Sequence, residues 1–220
     1  MLHYNTVNGL LKECLLTLMK ADVFASFRLV GGTALSLQLG HRQSIDIDLF
    51  SDTEYGSIDF ASIENYLKAT FAYTDHFSDL NPAIGKSYII GSDRNQTVKL
   101  DVFYTDDFIE PPVVADGLRL ASPAEIAAMK MDVVQRGGRK KDFWDIHELL
   151  NTHSISEMIG LHLKRYEYAH DQALLLKNLT NFSLANNDFD PICLKGKYWE
   201  FIREDLEDAV KEYKRKLTKS

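Results

Sequence analysis

Cysteine is scarce in this chain: 220 residues carry two, Cys14 and Cys193. They stand far apart with no metal-ligand spacing, so they read as free thiols suited to a reducing compartment. Long apolar runs are missing. No stretch approaches the roughly 18 residues of a membrane span, which excludes a spanning helix. Met1-Leu2-His3-Tyr4-Asn5 has no basic segment leading into an apolar one, so no secretory leader and a cytoplasmic location are expected. An excess of positive charge is also missing: 25 Lys and Arg face 32 Asp and Glu, a net charge of −7. Bulk electrostatics would not hold such a chain on nucleic acid, and only a local basic surface would. There are no repeats and no low-complexity segments. The remaining composition, 45% hydrophobic and 26% charged, is that of an ordinary globular domain.

The most informative stretch that is present runs from Leu29 to Phe50. Asp46-Ile47-Asp48 lies inside an apolar run, where strand geometry puts alternate residues on opposite faces. Asp46 and Asp48 then share one face, about 7 Å apart, while Ile45, Ile47 and Leu49 are expected to face the core. Two neighbouring carboxylates repel unless a cation lies between them. Mg²⁺ takes one or two carboxylates together with substrate phosphates. Upstream, Gly31-Gly32 permits close backbone approach to a phosphate at a helix N-terminus. These parts suit phosphoryl or nucleotidyl transfer from a nucleoside triphosphate.

Around this stretch, helical periodicity is expected over residues 5–20, from Val7, Leu10, Leu11, Cys14, Leu15 and Leu18. Phe27 to Val30 reads as a short strand, Gly31 to Leu39 as a helix ended by Gly40, and Ile45 to Phe50 as the carboxylate strand. Ile58 to Thr70 reads as helical. Lys86 to Gly91 and Thr97 to Tyr104 read as a hairpin turned by Ser92 to Asn95, which makes the sheet mixed. Ser122 and Glu125 form a capping-box pattern with Pro123 at the first helical position, starting a helix to Gln135. Gly137-Gly138 breaks it, and a second helix is expected from Lys141 to Leu150. The expected division is a small core over residues 1–115 and a helical lobe over 116–220.

Other residues carry chemistry. Asp101 lies on the second hairpin strand, on one face with Lys99 and Phe103, and would supply a third carboxylate for a two-metal site or for activating the attacking hydroxyl. Lys130 interrupts an apolar helix segment and either reaches a phosphate or snorkels to water. Arg42 precedes the carboxylate strand and can clamp a triphosphate bidentately. Asp142 and Asp145 share a helical face and would cap the helix, position Lys130 or Arg42, or bind substrate. Arg136, Arg139, Lys140 and Lys141 form a local basic cluster. Lys211, Lys214, Arg215, Lys216 and Lys219 follow an acidic run and read as the cationic end of a charge-graded helix. Trp144 and His147 read as packing residues, and the Tyr and Phe residues as core rather than as a base-stacking platform.

From Gly31-Gly32-Thr33-Ala34 to Asp46-Ile47-Asp48-Leu49-Phe50 the chain closely resembles the AbiEii/AbiGii toxin family of nucleotidyltransferases. Lys99-Leu100-Asp101, Ala128-Met129-Lys130, Arg136 and Arg139-Lys140-Lys141-Asp142-Phe143-Trp144-Asp145-Ile146 extend the match, in order, over about residues 28–150. The resemblance implies an α+β fold: a polymerase-β-like nucleotidyltransferase core, its mixed sheet flanked by helices, followed by a helical C-terminal lobe. It implies Mg²⁺ and a nucleoside triphosphate, with some members adding nucleotides to tRNA 3′ ends and many paired with an antitoxin protein. Asp46 and Asp48 would bind metal, and Lys130 with Asp142 or Asp145 would complete the functional set.

The joint expectation is a Mg²⁺-dependent transfer of a nucleotide to an acceptor hydroxyl, with pyrophosphate released. Asp46, Asp48 and Asp101 would hold two ions. Gly31, Gly32, Thr33 and Ser44 would cradle the triphosphate, which Arg42 and Lys130 would neutralise. The acceptor would be RNA, a tRNA 3′ end in particular. Two rivals remain: transfer to a small molecule such as an antibiotic, and a non-catalytic copy of the fold that serves as a binding partner. The intact acids argue against the second.

Overall fold

The protein is described by a computed structural model over residues 1–76 and 84–218. Helix α1 (Gly9–Lys20) starts after Asn8, whose side chain accepts from the Leu11 amide at 2.8 Å. It begins later than periodicity suggests because Tyr4–Thr6 forms a separate 3₁₀ turn. Strand β1 (Arg28–Leu29) runs straight into α2 (Gly31–Leu39), and Gly40 ends that helix in the left-handed conformation. Strand β2 (Asp46–Ser51) follows. Next come α3 (Phe60–Thr70), β3 (Tyr73–His76), β4 (Gly85–Asp93) and β5 (Gln96–Tyr104). The β4–β5 hairpin is longer than expected, and its turn is Arg94-Asn95 rather than the four residues from Ser92.

The described strands form one sheet in the order β3-β4-β5-β2-β1-β7-β6, where β6 is Val113–Ala115 and β7 is Leu118–Leu120. β2 lies parallel to β5 and β1 parallel to β7, and the other pairs are antiparallel, so the sheet is mixed. The expected boundary at residue 115 falls inside the β6–β7 hairpin, and the sheet continues to Leu120. Helices α4 (Pro123–Gln135), α5 (Lys140–Leu149), α6 (Ile155–Arg165), α7 (Gln172–Asn178) and α8 (Trp199–Leu217) follow. One apolar core joins the two halves, from Leu11 and Leu15 of α1 through Ile47 and Leu100 to Ile126, Phe143, Ile202 and Leu206. This α+β architecture carries the acids on a rigid central strand.

Local chemistry explains most of the elements. Ser122 caps α4 by accepting from the Glu125 amide at 3.1 Å. The box is not reciprocal, however. The Glu125 carboxylate turns inward to the amides of Ile109 and Glu110, at 2.8 and 3.1 Å, and to Arg165. Trp144 is buried and stacked on Trp199, with ring centroids 6.4 Å apart, and His147 is bonded to Asp205, so both are packing residues. The basic C-terminal run lies in α8, and its Lys219 is outside the described residues.

Candidate active site

Along β2, burial alternates strictly. Ile47 and Leu49 are fully buried, while Asp46, Asp48 and Phe50 share the opposite face. Ile45 does not join the core. It precedes the strand and is 70% exposed, because pairing with β5 begins only at Asp46. Asp48 lies directly opposite Asp101 on the parallel strand β5. Burial, together with the Asp101 and Asp46 carboxylates, pushes the Asp48 carboxyl up to about 6. The sheet therefore collects negative charge that a cation would relieve.

The turn from β1 into α2 sits against these acids. Gly31 adopts φ +66°, and a Cβ there would lie 2.8 Å from Asp48 Oδ2. A Cβ on Gly32 would fall 2.3 Å from the Arg42 guanidinium. Both positions require glycine, one for its conformation and both for room. The N-cap Val30 offers no side-chain acceptor, so the first amides of α2 are left for another acceptor beside Asp48. Thr33 is buried, and its hydroxyl is spent on the Asp46 carbonyl at 2.5 Å and the Ser44 hydroxyl at 2.7 Å. It ties α2 to the start of β2 instead of facing the cleft, whereas Ser44 lines the cleft.

Behind the acids lies a buried charge network. Asp145, fully buried, receives Arg42 Nε at 2.6 Å and Nη2 at 2.8 Å, His41 Nε2 at 2.8 Å and Lys130 Nζ at 2.6 Å. Lys130 also donates to Asp142 at 2.7 Å, and Asp142 accepts from the Arg139 amide at 2.9 Å. Burial alone would raise the Asp145 carboxyl, but Arg42 and Lys130, with hydrogen bonds from His41 and Arg42, hold it well below the usual carboxylate range. Burial would discharge Lys130, yet Asp145 and Asp142 raise its pKa. Lys130 thus does not snorkel, and both Lys130 and Arg42 line the cleft with their charges shared with Asp145. Asp142 lines the cleft, whereas Asp145 lies behind it.

Residues 13–219 match the family described as Nucleotidyl transferase AbiEii toxin, Type IV TA system. The chain belongs to the AbiEii nucleotidyltransferase toxin family. An uncharacterized protein of Aquifex aeolicus (strain VF5) is 28% identical over 214 residues, spanning 92% of this chain and 95% of that one. Two structures from Helicobacter pylori, one of them JHP933, share the fold at 19% identity and TM-scores of 0.57 and 0.56. They cover 95% and 99% of this chain, and 93% and 92% of theirs. MenT4, a nucleotidyltransferase toxin of Mycobacterium tuberculosis, shares it at 15% identity and a TM-score of 0.55, over 88% of this chain and 82% of its own.

In this AbiEii-family chain the cleft over Gly31, Gly32, Asp46 and Asp48 measures about 340 Å³. Its accessible cations are Arg136, Arg139 and Lys141, of which only the last approaches an acid of β2, at 4.0 Å from Asp46. Burial and the crowding of Arg139 and Lys130 lower the Lys141 pKa. Lys140 is separate from this cluster: it is buried, paired with Asp190 at 2.8 Å and set over the Trp199 ring.

Asp101, expected as a third metal ligand, lies beside Asp48 with its own partners. Its carboxylate is already held by Ser87 Oγ and by Lys99 Nζ, each at 2.5 Å. Among the described residues no group of three acid, His or Cys side chains converges to hold a metal ion. Asp46 and Asp48 keep the donor chemistry of a Mg²⁺ site shared with phosphates. Periodicity could not have shown Ser87 or the cleft-facing place of Lys141, since both depend on register and helix packing. The aromatic reading also fails at several places: Tyr55, Tyr168, Tyr198 and Phe201 are exposed, and Phe189, expected in the core, is 94% exposed in the pocket beside the cleft.

Proposed function

We propose that this nucleotidyltransferase moves a nucleotide from a nucleoside triphosphate to a hydroxyl of an RNA acceptor, a tRNA 3′ end in particular. Mg²⁺ at Asp46 and Asp48 would serve the reaction, and the setting would be the cytoplasm, where an antitoxin partner would restrain it. The observation that carries the reading is the pairing of Asp48 with Gly31: a carboxylate in need of a cation, pressed against an uncapped helix N-terminus. Phosphate favours that N-terminus through its free amides and the helix dipole.

In this reading the triphosphate lies over Gly31 and Gly32, with Ser44 at its side. Asp46 and Asp48 would hold Mg²⁺, which would supply neutralisation of charge on the phosphates. Arg42 and Lys130 act at one remove: they fix Asp145 and Asp142 and so hold the α2 turn and the start of α5 in place. Asp101 accepts the acceptor hydroxyl's proton once it lets go of Lys99, while Ser87 keeps it oriented. The net change is one phosphoanhydride broken, one phosphodiester formed, and pyrophosphate and a proton released.

The test is incubation with each labelled nucleoside triphosphate, Mg²⁺ and total cellular RNA, read on a denaturing gel. Labelled RNA with the wild type and none with Asp48→Asn supports the reading. Label on a small molecule instead of RNA would assign the acceptor to the small-molecule alternative.

A further inference from the structure

Three cavities meet at Arg139. The first is the cleft over the two acids, about 340 Å³. The second, about 570 Å³, runs along Arg136 and Gly138 toward Leu184. The third, about 370 Å³, opens on the other side of Asp46 between Lys141 and the segment 188–192. Of the three, only the first holds Gly31, Gly32 and Asp48. The third has a different character. One rim presents Ile45, Phe189 and Ile192, which are 70%, 94% and 63% exposed. Arg139 and Lys141 line the same pocket.

Exposure on this scale would mean little on a free loop, but this segment is fastened. The Gln43 amide donates to the Ile192 carbonyl at 2.8 Å, and the Leu194 amide to the His41 carbonyl at 2.9 Å. Lys140 holds Asp190 at 2.8 Å, and the Phe189 amide donates to Asp188 Oδ1 at 3.0 Å. The phenyl ring is therefore carried on a strap bonded to the same residues that lead into Asp46. The acids of the strap are engaged, Asp190 by Lys140 and Asp188 by its neighbour's amide. An exposed aromatic ring in one pocket with two cations fits a base and its phosphate, the pairing that single-stranded nucleic acid sites use.

We propose that this pocket is the acceptor subsite: Phe189 stacks the 3′-terminal base of the RNA, and Arg139 with Lys141 holds the adjoining phosphodiester. The inference rests on the RNA reading above and extends it. It places the terminal ribose against Asp46, the wall shared with the nucleotide cleft, and lets the upstream strand leave along Arg136.

The experiment uses the full chain and a short single-stranded RNA ending in 2-aminopurine, whose fluorescence falls when the base stacks. Wild type should quench it on binding. Phe189→Ala should remove the quenching and weaken RNA binding about tenfold, Phe189→Trp should restore both, and the Kd for nucleoside triphosphate should stay at its wild-type value. Phe189 is exposed, so its replacement leaves the core untouched. Unchanged RNA binding and quenching in Phe189→Ala would overturn the subsite while leaving the RNA reading standing. A matching loss of triphosphate affinity would assign the ring to the incoming nucleotide and overturn it too. Wild-type protein that binds no RNA would overturn the reading on which the proposal rests.

Discussion

Asp48 and Asp145 are both carboxylates on the buried side of one cleft, and their neighbours send them in opposite directions. Asp48 faces two acids, and folding lifts its carboxyl to about 6. Unfolded, the group titrates near pH ~3.9. Between those values the folded chain holds more protons than the unfolded one, so stability falls as pH rises and stays reduced above about 6. Asp48→Asn should therefore stabilise metal-free protein at pH 7.5 by on the order of 1–2 kcal/mol after allowance for solvent screening, seen as a raised melting temperature, and change little at pH 4. An equal shift at both pH values would contradict the assignment. Asp145 behaves the other way. Its lowered pKa adds stability above the unfolded value, which is lost as pH falls through the folded one. Asp145→Ala leaves Arg42 and Lys130 buried without their acid and should cost about 3–5 kcal/mol in denaturant unfolding; a cost under about 1 kcal/mol would mean that water or Asp142 replaces it. The acid pair was legible in the sequence because strand alternation is local. The Arg42–Asp145 bond was not, since it joins positions 103 residues apart.

At the scale of elements, α2 is the piece on which the site depends. Its first turn combines a left-handed Gly31, a Gly32 crossed by Arg42, and amides without a cap. Gly32→Ala should displace the Arg42 guanidinium from Asp145, destabilise the fold by roughly 1–3 kcal/mol and abolish triphosphate binding measured by calorimetry. Retained binding would show that Arg42 has room to move. The helix was readable from its glycine start and stop, and so was α4, from Ser122 and Pro123. The strands β3, β6 and β7 were not: four, three and three residues long, they owe their structure to pairing, β3 with β4, β7 with β1 and β6 with β7, rather than to any pattern of their own. Ile45 misled for a related reason, since an apolar residue just outside a strand loses the alternation that its neighbours obey. Glu125 fits the capping pattern by spacing, but Arg165 and two loop amides compete for its carboxylate.

The whole molecule is acidic, with net charge −7, so any nucleic acid must meet it on a restricted surface. The structure divides the basic cluster that the sequence grouped: Arg136, Arg139 and Lys141 border the cleft, while Lys140 is internal. Helix periodicity could not make that division, because the packing of α5 against α8 and the strap decides it. Arg136→Ala combined with Arg139→Ala should weaken RNA binding and flatten the slope of log affinity against log salt by about 1.4, the release expected from two phosphate contacts on a single strand. Lys140→Ala should lower stability and leave that slope alone. An unchanged slope in the double variant would move the RNA elsewhere on the surface.

The central claim is that Asp46 and Asp48 hold Mg²⁺ with a triphosphate seated on Gly31 and Gly32. Thermal unfolding with and without Mg²⁺ and a nucleoside triphosphate tests it most directly, because a ligand that binds only the folded chain raises the midpoint by linkage. The account predicts a rise that needs both Mg²⁺ and the triphosphate in wild type and disappears in Asp48→Asn, which stays folded. A rise of equal size in Asp48→Asn, or one produced by the triphosphate without Mg²⁺, would contradict it.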